Sequence, residues 1–286
     1  MSIVVKNLSY TYSPKTPYEK QALYDVSFRI NKGETVGVIG STGSGKSTLS
    51  QHLNALIRMQ NGEAEVYGID LKAKRPDLKK LRATVGMLFQ YPEYQLFEDT
   101  VLKDVAFGPQ NFGKSKEEAY ALAQEALEAV GLGDPAIAQK SPFELSGGQK
   151  RRAAIAGVIA CKPKVLILDE PTAGLDPAGK KEILELIERL KQSFVEIVIM
   201  VSHNMDEIAK YCDRVLVLSE GRLVADSVPR ELFSNPANLE GTGLKLPHAA
   251  NVSYALRQRF EGFPVALTAE ELADAIATRL GGGCHE

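Results

Sequence analysis

The sequence predicts an α/β fold built on a parallel sheet, and three stretches carry that prediction. Thr35–Ile39 (TVGVI) is a short, mostly β-branched apolar run that passes directly into Gly40, Ser41, Thr42, Gly43, Ser44, Gly45, Lys46 and Ser47, then into a helix-competent segment reaching Ile57. Residues 165–168 (VLIL) form a continuous apolar run that ends in Asp169 and Glu170, as a central parallel strand does when its carboxyl end opens on a functional crevice. Residues 196–201 (EIVIMV) form a third such run, ending at Ser202 and His203. Polar, chemistry-bearing residues at the ends of apolar strands are the signature of a doubly covered sheet.

Upstream of this core, residues 3–12 (IVVKNLSYTY) and 22–30 (ALYDVSFRI) read as two strands of an antiparallel sheet, separated by the polar, proline-bearing loop SPKTPYEK. Tyr10 and Tyr12 face the same side of the first strand. Tyr12, at the strand end, is placed to stack on a nucleotide base, and the alternative that both rings simply pack against the sheet stands beside it.

The spacing G-x-x-x-x-G-K-S is that of a phosphate loop. Its backbone must curl until successive N–H groups point at one anion, which Gly40, Gly43 and Gly45 permit. Lys46 opens a helix whose positive end faces the phosphates and extends its ammonium to the β- and γ-oxygens, and Ser47 is placed to ligate Mg²⁺. Nucleotide contacts are therefore expected from Tyr12 and from residues 40–48, including Ser41, Thr42, Ser44 and Thr48.

Residues 61–71 (NGEAEVYGIDL) read as a hairpin that rejoins the first sheet, and the cations of KAKRPDLKKLR that follow read as a solvated face. Met87, Leu88 and Phe89 form a strand ending in Gln90, a neutral amide suited to approach Mg²⁺ and an attacking water. The proline-broken aromatic stretch YPEYQLF (91–97) reads as an exposed loop where a partner binds. Residues 115–130 have helical spacing behind a serine cap and stop at Gly131.

In LSGGQKRR (145–152), Ser146, Gly147, Gly148 and Gln149 sit at the start of a helix. Free N–H groups without bulky side chains make an anion clamp there. One nucleotide does not need two clamps on the same surface, so this one is expected to close on ATP held by another subunit; an ordinary serine-capped helix is the other reading. Asp169 is expected to hold Mg²⁺ through its hydration shell, and Glu170 to accept the proton of the water that attacks the γ-phosphate. His203 is placed to hydrogen-bond the γ-phosphate and orient that water. His52, His248 and His285 have no such context. Residues 173–177 (AGLDP) turn into another helix, and the strands VLVLSEG and RLVADS close the domain near residue 228.

Whole-chain composition narrows the function. With 286 residues, 44% of them hydrophobic, the chain suits one large domain and a smaller appendage. A formal net charge of -2 argues against a surface dominated by nucleic acid or acidic lipid, leaving room only for a local basic patch. Three widely separated cysteines suggest neither a disulfide framework nor a zinc site. The sequence shows no signal peptide, and its apolar runs fall short of the roughly 18 residues a membrane span needs.

In this order, the phosphate loop, LSGGQ (145–149), LDEPTAGLD (168–176) and Ser202 with His203 resemble the ATPase subunits of ATP-binding cassette (ABC) proteins over residues 2–235. The resemblance implies a P-loop NTPase fold with a RecA-like parallel-sheet core, an antiparallel β-subdomain and a helical subdomain at about 91–162. It also implies that Tyr12 is the base-stacking aromatic, Gln90 the sensing glutamine, Ser146 to Gln149 the signature presented in trans, Asp176 the loop acid that contacts the partner, and His203 the switch histidine. Lys46, Glu170 and His203 are all present, which argues for an active ATPase using ATP and Mg²⁺.

YPEYQLFEDTV and DVAFGPQNFG (104–113) are further similar to the ATPases of energy-coupling factor (ECF) transporters, which drive vitamin and transition-metal uptake in prokaryotes. That likeness implies a peripheral protein on the cytoplasmic face of the cell membrane, with a transmembrane coupling subunit and a small substrate-binding membrane subunit as partners, and no nucleic acid. SPKTPYEKQAL resembles the second of two paired ATPases, implying a heterodimer, with a homodimer as the alternative. The alternatives are a soluble cassette ATPase, which would share the core motifs but lack the segment at 91–97, and the ATPase of another cassette importer or exporter, since the direction of transport is not written in these residues.

GLKLP (243–247) resembles the start of the C-terminal extension of those ATPases, placing a second unit at 236–286. Within it, residues 267–280 predict a helix with a Thr268–Glu271 capping box and a stripe of Leu272, Ala275, Ile276 and Leu280. That stripe is expected to pack on its own domain or on a dimer mate. The end, GGGCHE, reads as a flexible terminus rather than a metal site.

Overall fold

The computed structural model describes residues 3–281. The chain starts with β1 (Ile3–Tyr12) and β2 (Lys20–Ile30), which pair antiparallel, then enters β3 (Thr35–Ile39) and α1 (Lys46–Leu53). It returns through β4 (Asn61–Val66) and β5 (Ile69–Asp70) to complete a four-stranded sheet in the order β2-β1-β4-β5, the antiparallel unit expected from the sequence. Then α2 (Leu78–Thr84) leads into β6 (Val85–Leu88), followed by the helices α3 (Val101–Asn111), α4 (Lys116–Ala129), α5 (Pro135–Gln139) and α6 (Gly147–Ile159).

Strands and helices alternate thereafter: β7 (Val165–Asp169), α7 (Pro177–Ser193), β8 (Ile197–Val201), α8 (Met205–Tyr211), β9 (Arg214–Ser219) and β10 (Arg222–Ser227). The second sheet has the order β10-β9-β3-β8-β7-β6 and is parallel except for β10 at its edge. β3 and β8 are buried along their whole length, as strands covered on both faces must be. Successive side chains leave a strand on opposite faces, and the core divides accordingly. Ile167, Ile199 and Val38 join the residues of the antiparallel sheet, whereas Leu166, Leu168, Val198 and Met200 join the helices α3 to α7.

This register positions the site. Val38 pairs with Val201, and Val201 with Asp169, so the carboxyl ends of β3, β8 and β7 form one row. The phosphate loop, His203 and Glu170 all follow from that row.

Two elements stop earlier than their patterns suggest. α1 ends at Leu53 instead of running toward Ile57, because Asn54 Nδ2 donates to the Val85 carbonyl (3.0 Å) and Ala55 turns to a φ of 50°. β6 starts at Val85 and ends at Leu88, leaving Phe89 and Gln90 beyond the ladder.

After β10 come α9 (Pro229–Phe233), α10 (His248–Arg257) and α11 (Ala269–Gly281). Leu239, Ala250 and Leu267 share the helix-side core with Phe233 and Ile208, so this region folds onto its own domain. Thr268 Oγ1 accepts from the Glu271 N–H (3.2 Å), while the Glu271 carboxylate reaches the Leu267 N–H (2.8 Å), one residue further back than a capping box requires. Leu272, Ala275 and Ile276 remain half-buried. The side chain of Leu280, and Cys284 and His285 altogether, lie outside the described residues.

Candidate nucleotide site

Gly45 caps α1 with a φ of 103°, and a Cβ there would stand 2.7 Å from the Ala22 carbonyl and 2.8 Å from Leu23 Cδ2. Both the dihedral and the space demand glycine. Gly45→Ala is accordingly expected to weaken ATP binding at least about tenfold, since a displacement of a few tenths of an ångström misaims the loop N–H groups; equilibrium titration with a fluorescent ATP analogue checks this. At Gly40 a Cβ would lie 2.2 Å from the Leu218 carbonyl.

Lys46 Nζ donates to the carbonyls of Gly40 (2.8 Å) and Ser41 (2.9 Å), bridging the mouth of the loop. Burial pulls the Lys46 ammonium down, and the carboxylates of Glu170 and Asp169 push it back up. Ser44 Oγ is buried with no partner. It faces Gly40, where a Cβ would collide with it, and it does not line the cleft beside the loop.

A cleft of about 230 Å³ opens beside the loop, lined by Tyr12, Lys20, Gly43, Lys46, Ser47 and Thr48, among others. Tyr12 is 37% exposed, its hydroxyl lies 3.1 Å from Thr48 Oγ1, and its ring meets Tyr10 edge-on at 4.8 Å. Tyr10 in turn packs edge-on against buried His52. Tyr10 packs inward, and Tyr12, whose ring also packs against Tyr10, lines the cleft. Lys20 had no sequence signal, because it sits at the end of a polar loop and reaches the cleft only through its pairing with Tyr12.

At the end of β7, Asp169 Oδ2 accepts from Ser47 Oγ at 3.3 Å. Burial raises the Asp169 carboxyl and Glu170 adds to the rise, opposed by Ser47 and Lys46. A hydroxyl and one carboxylate meeting beside the phosphate loop fit Mg²⁺, which takes few protein oxygens and keeps its waters and phosphates. Glu170 adopts a φ of 52°, its N–H extends the ladder to the Val201 carbonyl (2.9 Å), and its Oε1 lies 2.7 Å from His203 Nδ1. The left-handed backbone turns Glu170 away from the line of Asp169, so the adjacent carboxylates meet different partners, His203 and Ser47. Under this turn Thr172 donates to Glu207 (2.8 and 2.9 Å), a contact the sequence did not disclose.

The remaining expected residues stand apart. Gln90 is exposed at the end of β6, next to Tyr91 in a left-handed conformation. Ser146 and Gln149 form a reciprocal capping box, Ser146 Oγ accepting from the Gln149 N–H (3.3 Å) and Gln149 Oε1 from the Ser146 N–H (3.0 Å). Gly147 and Gly148 are exposed with open space where a Cβ would be, and none of these four lines the cleft. Asp176 caps α7 by accepting from the Gly179 N–H (2.9 Å).

One junction was missed. Arg151, five residues into α6, is only 2% exposed; it forks onto Glu93 (3.0 and 3.2 Å) and donates to the carbonyls of Pro171 (3.1 Å) and Ala173 (2.8 Å). It joins the aromatic segment after Gln90, the helix of the signature residues and the turn after Glu170.

Residues 23–173 match the family model described as ABC transporter. The chain belongs to the ABC transporter family. Within it, the chain is 50% identical to an energy-coupling factor transporter ATP-binding protein EcfA2 of Caldanaerobacter subterraneus subsp. tengcongensis over 285 residues, 99% of each chain. An EcfA2 of Ligilactobacillus salivarius is 49% identical over 290 residues and all of both chains. Among solved structures, cbiO1 of Clostridium perfringens, part of the ABC transporter complex cbiONQ, superposes with a TM-score of 0.72 at 35% identity, over 90% of this chain and 95% of that one. The dimeric cassette MJ0796 bound to ADP and Pi gives 0.70 at 29% identity, over 80% and 99%. This ABC protein is thus an ECF-type ATP-binding subunit with the P-loop fold expected, an ATPase coupled to transport. Among the described residues no helix is long and apolar enough to cross a membrane.

Proposed function

We propose that this ATPase powers uptake of a micronutrient, a vitamin or a transition-metal ion, through an ECF-type transporter on the cytoplasmic face of a prokaryotic membrane, as the second of two different paired ATPases. The observation that carries the paired reading is the position of Gly147 and Gly148. Their helix end is open, outside the chain's own cleft, and suited to an anion presented from elsewhere.

In this reading the loop N–H groups and Lys46 hold the phosphates of ATP, Tyr12 stacks on the base, and Ser47 and Asp169, with Gln90 approaching, hold Mg²⁺. Held there, Mg²⁺ would supply positive charge to neutralise the phosphates. Glu170 takes the proton of the attacking water, and His203, held by Glu170, hydrogen-bonds the γ-phosphate and orients that water. The partner's cleft receives Ser146 to Gln149, with Asp176 at the same contact, and the half-exposed stripe of α11 adds a contact outside it. ATP favours the closed pair because it binds two surfaces there instead of one, and hydrolysis removes that preference.

The exposed aromatics Tyr94 (83%) and Phe97 (56%), the latter packed edge-on against Phe107, form the face for the transmembrane coupling subunit. Purification of the tagged chain from its native membranes in mild detergent tests the reading. A second cassette ATPase, one multi-span protein and variable small membrane proteins are expected. Tyr94→Ser with Phe97→Ser should retain the ATPase partner and lose the membrane proteins. Recovery of only a second copy of this chain overturns both the uptake role and the heterodimer.

A further inference from the structure

Between β5 and β6 the chain carries Lys72, Lys74, Arg75, Lys79, Lys80 and Arg82. All six are exposed, and none forms an ion pair among the described residues. The single acid of the stretch, Asp77, is engaged as the cap of α2, accepting from the Lys80 N–H at 2.9 Å. A charge of +5 over residues 72–82 therefore stands on a chain whose formal net charge is -2. Lys72 shares a hollow with Glu63, Glu65 and Asp70, whereas the other five cations have no acid paired to them, so a net positive field stands over this surface.

The helical half of the patch is anchored. Leu81 is fully buried and Leu78 packs on the same core, while Arg82 Nη2 donates to the Ala55 carbonyl beyond α1 (3.3 Å). Lys79 reaches the turn that ends α3, its Nζ 2.9 Å from where a Cβ on Gly113 would be. Phe107, against which Phe97 packs, lies on the same helix. The cationic patch and the exposed aromatic segment thus flank one helix.

Residues 72–82 contain no aromatic side chain, so they offer no platform on which bases could stack. Four of the six cations are lysines, compact charges on flexible stems, which suit mobile anions better than a fixed bidentate ligand. We propose that this patch binds the anionic phospholipid headgroups of the bilayer next to the docked membrane subunit. The proposal rests on the aromatic face being the membrane-subunit face, which lies on the same helix that Lys79 reaches; a fixed cationic patch on that side attracts anionic headgroups over about a Debye length.

Co-sedimentation of the full chain with vesicles tests it, using phosphatidylcholine alone or with about one-third phosphatidylglycerol, at about 0.05 M and 0.3 M salt. Binding is expected only with phosphatidylglycerol and should fall at the higher salt. Replacing Lys72, Lys74, Lys79 and Lys80 with Gln should lower it at least about tenfold, with ATP hydrolysis and Tm unchanged. Equal binding by that variant, or binding to neutral vesicles, overturns the proposal; so does preferential capture by an added single-stranded oligonucleotide, which would make the patch a nucleic-acid site. Detergent co-purification with the membrane subunits, where no bilayer exists, separates the two ideas. Its failure in the wild type removes the docking reading, whereas its success beside charge-independent vesicle binding removes only the lipid.

Discussion

Glu170→Gln is expected to lower ATP turnover by about 10²–10⁴-fold, the range lost when a positioned general base is removed, while ATP binding is retained. The amide has the size of the carboxylate and can keep a hydrogen bond to His203 Nδ1, now 2.7 Å from Oε1, but it cannot take a proton from water. Binding should persist because the phosphate loop, Tyr12 and Lys46 are untouched, and one negative charge near the phosphates is gone. Closure without hydrolysis leaves the closed pair populated, so size exclusion with ATP should show it accumulating. The measurements are phosphate release, a single-turnover time course and the elution profile. Normal turnover would remove Glu170 as the base. Turnover and ATP affinity lost together would assign it to binding.

Legibility from sequence tracked how local the determining interactions are. β3, β7 and β8 were readable because burial on both faces leaves almost no polar residue in them, and the candidate site residues sit at or just past their carboxyl ends. The helix start at Ser146 was equally local, and the structure adds that Gln149 completes a capping box within that one turn. The early end of α1 was not readable, because the carbonyl that engages Asn54 lies 31 residues downstream. α10 escaped notice for a different reason. Its inward face consists of Ala249, Ala250 and Ser253, residues too small to make an apolar stripe, and Pro247 occupies its N-cap. Thr268 and Glu271 announced α11, and only the packing of Leu239, Ala250 and Leu267 into the helix-side core told which surface the region uses.

Arg151 was the least readable site residue, since arginine early in a helix ordinarily faces water and Glu93 is 58 positions away. Its replacement has the second large effect expected here. Arg151→Leu leaves the Glu93 carboxylate and the carbonyls of Pro171 and Ala173 without donors, and breaking a buried pair in this way costs about 3–5 kcal/mol. The loss should appear as a lowered midpoint in urea unfolding with an unchanged slope. Arg151→Lys should rescue little of it, because one ammonium cannot fork onto Glu93 and also serve both carbonyls. Glu93→Gln is the sharper probe of function. It leaves the Arg151 bonds to Pro171 and Ala173 (3.1 and 2.8 Å) intact, so α6 stays tied to the turn behind Glu170, and it removes only the charge that ties α6 to the aromatic segment. If that tie carries the motion of the signature helix to the membrane subunit, basal ATP hydrolysis should be nearly unchanged while uptake by the reconstituted transporter falls about two- to thirtyfold, the span of 0.5–2 kcal/mol of coupling. Hydrolysis and uptake falling in equal proportion would reduce the Arg151–Glu93 pair to a structural brace.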